Sequence, residues 1–376
     1  MSVRLEEDFE RFKRGLSPDF ADHVREAYRI DLRARYLGMP LSHPIGKGSG
    51  QLSLNAGQLE EDAAGGLAFV VLKTVIAEDE GGAQSMAAWA IHETRMKVER
   101  LAAPDGRMGW TVTWKGRGWD RSLDEYLALV RAGREIMART GMPIVPSVKY
   151  HLPRIGEPFR EHEYRHTTER LAAAWGDPPV PIEIDFSPTL AGDALSDDRA
   201  QVLRWLREVP GYVRSAAPGA VRLAVKLMNA RFDDAFQREM LETTAGADAL
   251  VVFNRLFDGE RGVAFGGWEL SDRNLRVLEA GRRSVALVGT GNVCSGRVLL
   301  EYGLRGCESV QLHTFFQLPL SEYPAVQGSR TQRALHSLVF DPREGLIAGM
   351  LALERAGRLA RHGGELRFLD LVPDAH

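Results

Sequence analysis

The sequence predicts an α/β chain folded as a (β/α)8 TIM barrel with an N-terminal helical extension, and three observations predict it. Eight short runs rich in Val, Ile and Leu alternate with longer segments of helical period. Most of these runs are nearly continuously apolar, as strands are when helices cover both faces of a parallel sheet. The chain has 376 residues, 44% hydrophobic and 26% charged, enough for a sizeable core. Eight βα units in about 320 residues is the count of such a barrel, and a doubly wound sheet is the main competitor.

In chain order, residues 3–35 carry apolar positions at helical spacing (Leu5, Phe9, Phe12, Leu16, then Phe20, Val24, Tyr28), and Ser17-Pro18 breaks them into two helices. This gives an extension over 1–35 ahead of a barrel over 36–376. Candidate strands follow at 41–45, 67–73, 143–149, 180–186, 221–227, 247–253, 284–290 and 308–313. Candidate helices fall near 55–64, 122–140, 162–175, 197–215, 233–245, 271–282 and 296–305, with a last helical pattern between 328 and 362. No internal repeat, low-complexity tract or Pro/Ser-rich linker divides the barrel, so it is read as one domain.

Several function classes are disfavoured at once. The net charge of −3 argues against a general electrostatic hold on nucleic acid. The longest apolar stretch, 67–77, contains Lys73 and is far shorter than the roughly 18 residues of a membrane span. The acidic opening MSVRLEEDFE does not read as a secretory signal, which favours the cytoplasm. Cys294 and Cys307 cannot supply an iron-sulfur cluster or an all-cysteine zinc site. Redox chemistry would therefore need an organic cofactor or another metal site.

Barrel chemistry sits on the loops after the strands. The longest, 74–120, reads as a lid insertion. It holds Trp89, Trp110, Trp114 and Trp119 with Arg95, Lys97, Arg107, Lys115 and Arg117, a mixture suited to a partly aromatic or anionic ligand. Trp110, Trp114 and Lys115 are its substrate-binding candidates, and its bland alternative is a subdomain packing its own small core. Two lysines end apolar strands, Lys73 in VVLKT and Lys226 in LAVKL. Each must reach solvent or meet an anion, because an unpaired buried ammonium is costly. His151, just after the third strand, is placed for the barrel mouth as a substrate-binding candidate, read either as a proton donor or as a plain loop residue. Small residues in VGTGNVCSG (288–296), with a helix starting after Ser295, and in VQLHT (310–314) offer backbone N–H groups to an oxyanion.

These segments together resemble the FMN-dependent dihydroorotate dehydrogenase family. HPIGKGSG (43–50) resembles its first-strand motif, FVVLKT (69–74) its second strand ending in a flavin-site Lys, AVKL (224–227) its fifth, and VVFN (251–254) its sixth. GGW (266–268) stands where the family has a Gly-Gly pair. VGTGNV (288–293) and GCESVQLHT (306–314) resemble its phosphate-holding end. The similarity runs in order over roughly residues 36–316.

The resemblance implies bound FMN, with Ser49 and Gly50 along the flavin, Lys73 near its reactive edge and Lys226 at its N1/O2 side. Asn254 and Gly267 complete the cofactor site, and Gly291, Asn292, His313 and Thr314 surround the phosphate. A fixed ammonium at Lys226 suits this role, because hydride arrival at N5 builds negative charge toward N1 and O2. IEIDFSPTLAG (182–192) places Ser187 in the position of the family's base, with Asp185 as its nearest acidic neighbour. Thr189 stands where the family has an Asn. The family's pyrimidine-binding stretch is not recognisable near WTVTWKG (110–116), and of its orotate-holding asparagines only the one matching Asn254 remains. A site built to hydrogen-bond a polar ring loses heavily without such partners, so the expected substrate is a small molecule other than dihydroorotate.

Two alternatives compete with this oxidoreductase. One is a non-redox barrel, a phosphate-ligand lyase or binding protein. The other is a zinc hydrolase built on HEYRH (162–166), which satisfies H-E-x-x-H but has polar surroundings and lies on an outer helix. No metal is expected. The acidic N-terminal helices are read as packing or homodimer-forming elements.

Overall fold

The structure, a computed structural model, describes residues 2–87, 96–114, 118–186, 189–190, 193–194, 198–229, 233–258, 263–279 and 285–372. Eight parallel strands form its centre. They are Ile45–Lys47, Val70–Val71 with Val75–Ile76, Ile144–Val145 with Ser147–Lys149, Val180–Phe186, Val221–Asn229, Ala249–Asp258, Ala286–Thr290 and Cys307–Leu312. Each pairs with the next in parallel, and the eighth closes on the first through Val310↔Ile45, Gln311↔Gly46 and Leu312↔Lys47. Pro146, which has no N–H to give, divides the third strand. The second is divided where the Lys73 N–H donates to Ser53 O at 3.1 Å in the loop after the first strand.

Helices follow the strands and cover the sheet: Ala56–Ala64, Leu123–Thr140, Glu161–Trp175, Arg199–Ala216, Asp234–Thr243, Trp268–Leu278 and Gly296–Gly303. Their starts are written locally. Asn55, Ser122, Asp198, Asp233 and Ser295 each accept a first-turn N–H through the side chain, and Ser122 with Glu125 completes a capping box.

Several expected boundaries shift, and the sixth strand, expected at 247–253, runs on to Asp258. The first strand, expected at 41–45, starts at Ile45; Met39–Leu41 instead pairs antiparallel with Ala34–Tyr36. This hairpin turns through Leu37 and Gly38, both at positive φ, and covers the strands' N-terminal end, where Arg222 donates to Leu37 O at 3.1 Å. The helix expected at 271–282 begins earlier, at Trp268, and ends at Leu278. The helical pattern at 328–362 is two helices, Arg330–Phe340 and Leu346–Arg355. Asp341 accepts the N–H groups of Arg343 and Glu344 and turns the chain between them. Within the loop read as a lid, Met96–Ala102 and Met108–Trp114 form an antiparallel ribbon.

Helices Ser2–Phe12 and Phe20–Tyr28 pack on the C-terminal helical segment. Phe9 stacks on His336 at 4.6 Å and Phe12 tilts against Phe340 at 4.8 Å. Among the described residues no helix is long and apolar enough to cross a membrane.

Candidate active site at the barrel mouth

A cavity of about 1290 Å³, its open mouth included, lies at the C-terminal ends of the strands. Strand periodicity decides what faces it. Glu183 and Asp185 alternate onto the inner face of the fourth strand, and Asp185 stands in register with Lys226 on the fifth. Register shifts around Lys226, Met228 and Asn229 loosen the fifth and sixth strands at the mouth, as bulges do where a side chain is re-aimed.

Lys73 and Lys226 both line the cavity and are both 4% exposed. Burial holds the Lys73 ammonium down at about 8, and Arg255 and Lys226 push it the same way, while Asp185 and Asp120 oppose them. Lys226 stands 3.4 Å from the Glu183 carboxylate. Asp185, half-buried, meets a chain of hydroxyls. Thr74 Oγ1 donates to Asp185 Oδ2 at 3.4 Å and lies 2.8 Å from Ser49 Oγ and 3.0 Å from Ser147 Oγ. This chain can carry a proton between the cavity wall and a carboxylate.

Asn254 lines the cavity from the sixth strand, and a buried amide network fixes that region. Asn229 donates to Asn254 O at 2.7 Å and to Asn274 Oδ1 at 3.0 Å. Asn274 in turn donates to Phe253 O and Thr290 O, at 2.9 and 3.0 Å. Gly291 follows at φ 93°, and a Cβ there would sit 2.5 Å from the Asn274 amide, so only glycine fits. Asn292, at φ 52°, turns its side-chain amide to Ser271 Oγ at 3.0 Å.

His313 and Thr314 line the wall after the eighth strand. The His313 ring occupies the space a Cβ on Gly50 would need, so Gly50 lies behind the ring and not on the cavity surface. Burial, then the charges of Arg255, Lys73, Lys226 and Lys47, hold His313 well below the ordinary histidine range. In this state the imidazole is neutral, and the side-chain amide of Gln317 lies 2.7 Å from its Nδ1.

The helix after Ser295 does not offer its N-terminus to an oxyanion as expected. Val298 N–H donates to Ser295 Oγ, Arg297 N–H donates to Glu344 O, and Gly296 abuts the backbone at Leu338 and Gly345–Leu346. The turn between the two C-terminal helices plugs it.

The ribbon reaches over the mouth. Trp110 lines the cavity and is backed by the Arg100 guanidinium at 5.0 Å, which pairs with Glu322. Trp268 donates to Met108 O at 3.0 Å, and Arg107 stacks on Trp268 at 4.6 Å. Gly267, at φ 104°, lines the cavity where a Cβ would meet Leu101 of the ribbon at 2.9 Å. Trp119 is core instead: it is 4% exposed and packs edge-on against Tyr126.

The structure thus brings Ser49, Lys73, Trp110, Asp185, Lys226, Asn254, Gly267, Gly291, Asn292, His313 and Thr314 onto one cavity. His151 departs from expectation. It is 5% exposed and away from the lining, with Nε2 3.4 Å from Glu157, while its carbonyl accepts from Tyr164 and Trp205. Ser187, Lys115 and the side chain of Trp114 lie outside the described residues. In HEYRH, His162 is exposed, while Glu163 is buried and accepts from the N–H and hydroxyl of Ser85. That carboxylate ties an outer helix to a loop, and no cluster suited to a metal occurs among the described residues.

Arg255, Thr74 and Gln311 line the cavity without having been singled out from sequence. Arg255 carried the same signal as Lys73, a cation closing an apolar strand. Cys294 also lines it, its thiol pushed up to about 12 by burial and so protonated.

No family model and no curated protein matches the chain. Among solved structures it is similar to a crystal structure of DHODH from Eimeria tenella in complex with ferulenol. The TM-score is 0.58 and the identity 14%, over 87% of this chain and 85% of that one. The likeness shows the fold. The chain is dihydroorotate dehydrogenase-like in architecture, and its chemistry has to be argued from the cavity.

Proposed function

We propose that this protein is an FMN-dependent oxidoreductase of dihydroorotate dehydrogenase-like type, acting at a CH–CH or C=C bond of a substrate other than dihydroorotate. The observation that carries this reading is the convergence of two buried lysines, Lys73 on the second strand and Lys226 on the fifth, on one cavity at a barrel mouth.

The residues present fit FMN. Gln311 Oε1 takes no hydrogen bond among the described residues, and Lys226 Nζ lies beside it. A Cβ on Gly48 would be 3.2 Å from the first and 3.5 Å from the second. An acceptor and a cationic donor side by side, approached across a glycine, match the N–H and carbonyl edge of an isoalloxazine. The cations Lys73, Lys226 and Arg255 supply the positive field an anionic cofactor needs. Lys226, Gln311, Ser49, Gly291, Asn292, His313 and Thr314 would hold the group.

When bound, FMN supplies hydride transfer. Lys226 would stabilise negative charge on the bound group, and Lys73 with Asn254 would orient the substrate. Asp185 would take or return the substrate proton through Thr74 and Ser49, with Ser187 two residues further along the sequence. Trp110 and the ribbon exclude water. The loss of the pyrimidine-holding asparagines and the presence of Arg255 beside Asn254 support a substrate other than dihydroorotate.

An absorbance spectrum of the purified protein in the near-ultraviolet and blue, with mass identification of what denaturation releases, tests this reading. Stoichiometric FMN is expected, and its colour should survive addition of dihydroorotate under anaerobic conditions. A colourless protein that takes up no added FMN would overturn it.

A further inference from the structure

Glu183 has no part in the chemistry above, yet it is the most completely buried acid beneath the cavity, at 0% exposure. Three side chains from different parts of the barrel meet it. Tyr36, from the hairpin on the barrel floor, donates its hydroxyl to Oε2 at 2.7 Å, and Gln311 of the eighth strand donates its amide to the same oxygen at 2.5 Å. The other oxygen, Oε1, takes no hydrogen bond among the described residues. It faces the Lys226 ammonium at 3.4 Å, so attraction between charges joins that pair.

A neutral amide at position 183 would serve Tyr36 and Gln311 as acceptor equally well. Burying a carboxylate there is costly unless a cation answers it, and Lys226 is that cation. Lys226 in turn lines the cavity, so Glu183 lies behind it on the side away from any ligand.

We propose that Glu183 is a positioning residue: its charge holds the Lys226 ammonium at the cavity floor and limits how strongly that ammonium favours negative charge on the ligand above. This rests on the reading that the cavity holds FMN. With Glu183 present, the ligand meets an ion pair. Without it, the ligand meets an uncompensated ammonium at short range, where an interaction between unit charges is worth several-fold more than in bulk water.

The test uses FMN-loaded wild type, E183Q, E183D and Y36F at pH 6 to 7. Sulfite is the probe, because it adds to the oxidised ring and leaves negative charge there. E183Q should bind sulfite about tenfold more tightly. The two-electron potential of its flavin should be correspondingly more positive, by about 30 mV. E183D, which keeps the charge, should stay near wild type. Y36F removes one donor from the carboxylate and leaves it to lean more on Lys226, so its sulfite affinity should weaken about two- to threefold. Should E183Q fail to fold, Y36F decides alone. Unchanged sulfite affinity and potential in E183Q, or in Y36F where E183Q does not fold, overturn the proposal. Wild-type protein that takes up no FMN overturns the functional reading, and this inference with it.

Discussion

Lys47 and Lys73 end or interrupt neighbouring barrel strands and are equally buried, each 4% exposed, yet their surroundings differ in kind. Lys47 has its own counter-ion. Asp62, from the helix Ala56–Ala64, meets its ammonium at 2.5 Å and also accepts from Thr331 of a C-terminal helix at 2.6 Å, with the Phe316 ring 4.9 Å from the ammonium. Lys73 faces a cavity, with Arg255 and Lys226 pushing against its charge and the carboxylates of Asp185 and Asp120 in its favour. Burial alone therefore does not mark a functional cation. A lysine paired deep inside the fold clamps three elements together, whereas one on a cavity wall presents its charge to a ligand.

The largest expected effect lies on the clamp. Asp62→Ala leaves the Lys47 ammonium buried without its partner and should destabilise the fold by about 3–5 kcal/mol, read as a shift in the denaturant midpoint at unchanged slope. A mild effect would mean that the Asp62 pair contributes little to the fold, and the contrast between the two lysines would fail.

Lys73→Met should behave in the opposite way. The Lys73 ammonium titrates at about 8 in the folded chain against 10.5 when unfolded. Between those values the unfolded chain binds the extra proton, so wild-type stability should rise as pH increases from about 8 to 10.5, by an amount on the order of 3 kcal/mol. Below pH 8 both states are protonated and the full penalty is present. In Lys73→Met the rise should be absent and stability at pH 7 no lower than wild type, while FMN and substrate bind more weakly. Urea midpoints for both proteins across that pH range measure it. A neutral-pH loss as large as that of Asp62→Ala would make Lys73 a structural residue.

The same contrast explains what the sequence makes legible. Seven of the eight barrel strands could be located because near-continuous apolar runs such as VPIEIDF and VRLAVKL are what strands covered by helices on both faces require. The first was misplaced because its true span, Ile45–Lys47, is three residues with a glycine at the centre, while the preceding hairpin looked equally strand-like. Lys73, Lys226 and Asn254 were legible as polar residues closing apolar strands. Arg255 obeyed the same rule and was passed over beside Asn254. Glu183 was legible only as an acid inside an apolar strand, because its meaning depends on Tyr36, 147 positions away, and on Gln311. His151 failed for the converse reason. A loop position after a strand does not fix direction, and Glu157 with the helices beyond turns it away from the mouth.

The smallest effect on stability should come from the ribbon. Arg107 pairs with Asp105 and Asp272 and stacks on Trp268, but all of these partners lie at or near the surface. Exposed ion pairs of this kind contribute about 0–1 kcal/mol, so Arg107→Ala should leave the unfolding midpoint nearly unchanged. Yet the same contacts hold the ribbon that carries Trp110 against the cavity. Loosening them should raise the dissociation rate of bound FMN several-fold, followed by the recovery of flavin fluorescence on dilution. The variant thus separates the two ways a residue can matter here. Asp62 should change how firmly the barrel is folded with little said about its cavity, and Arg107 should change how long the cavity keeps its ligand in a barrel that folds as before. A fall in midpoint comparable to that of Asp62→Ala would place the ribbon in the cooperative core, and the cover over the mouth would then be part of the fold itself.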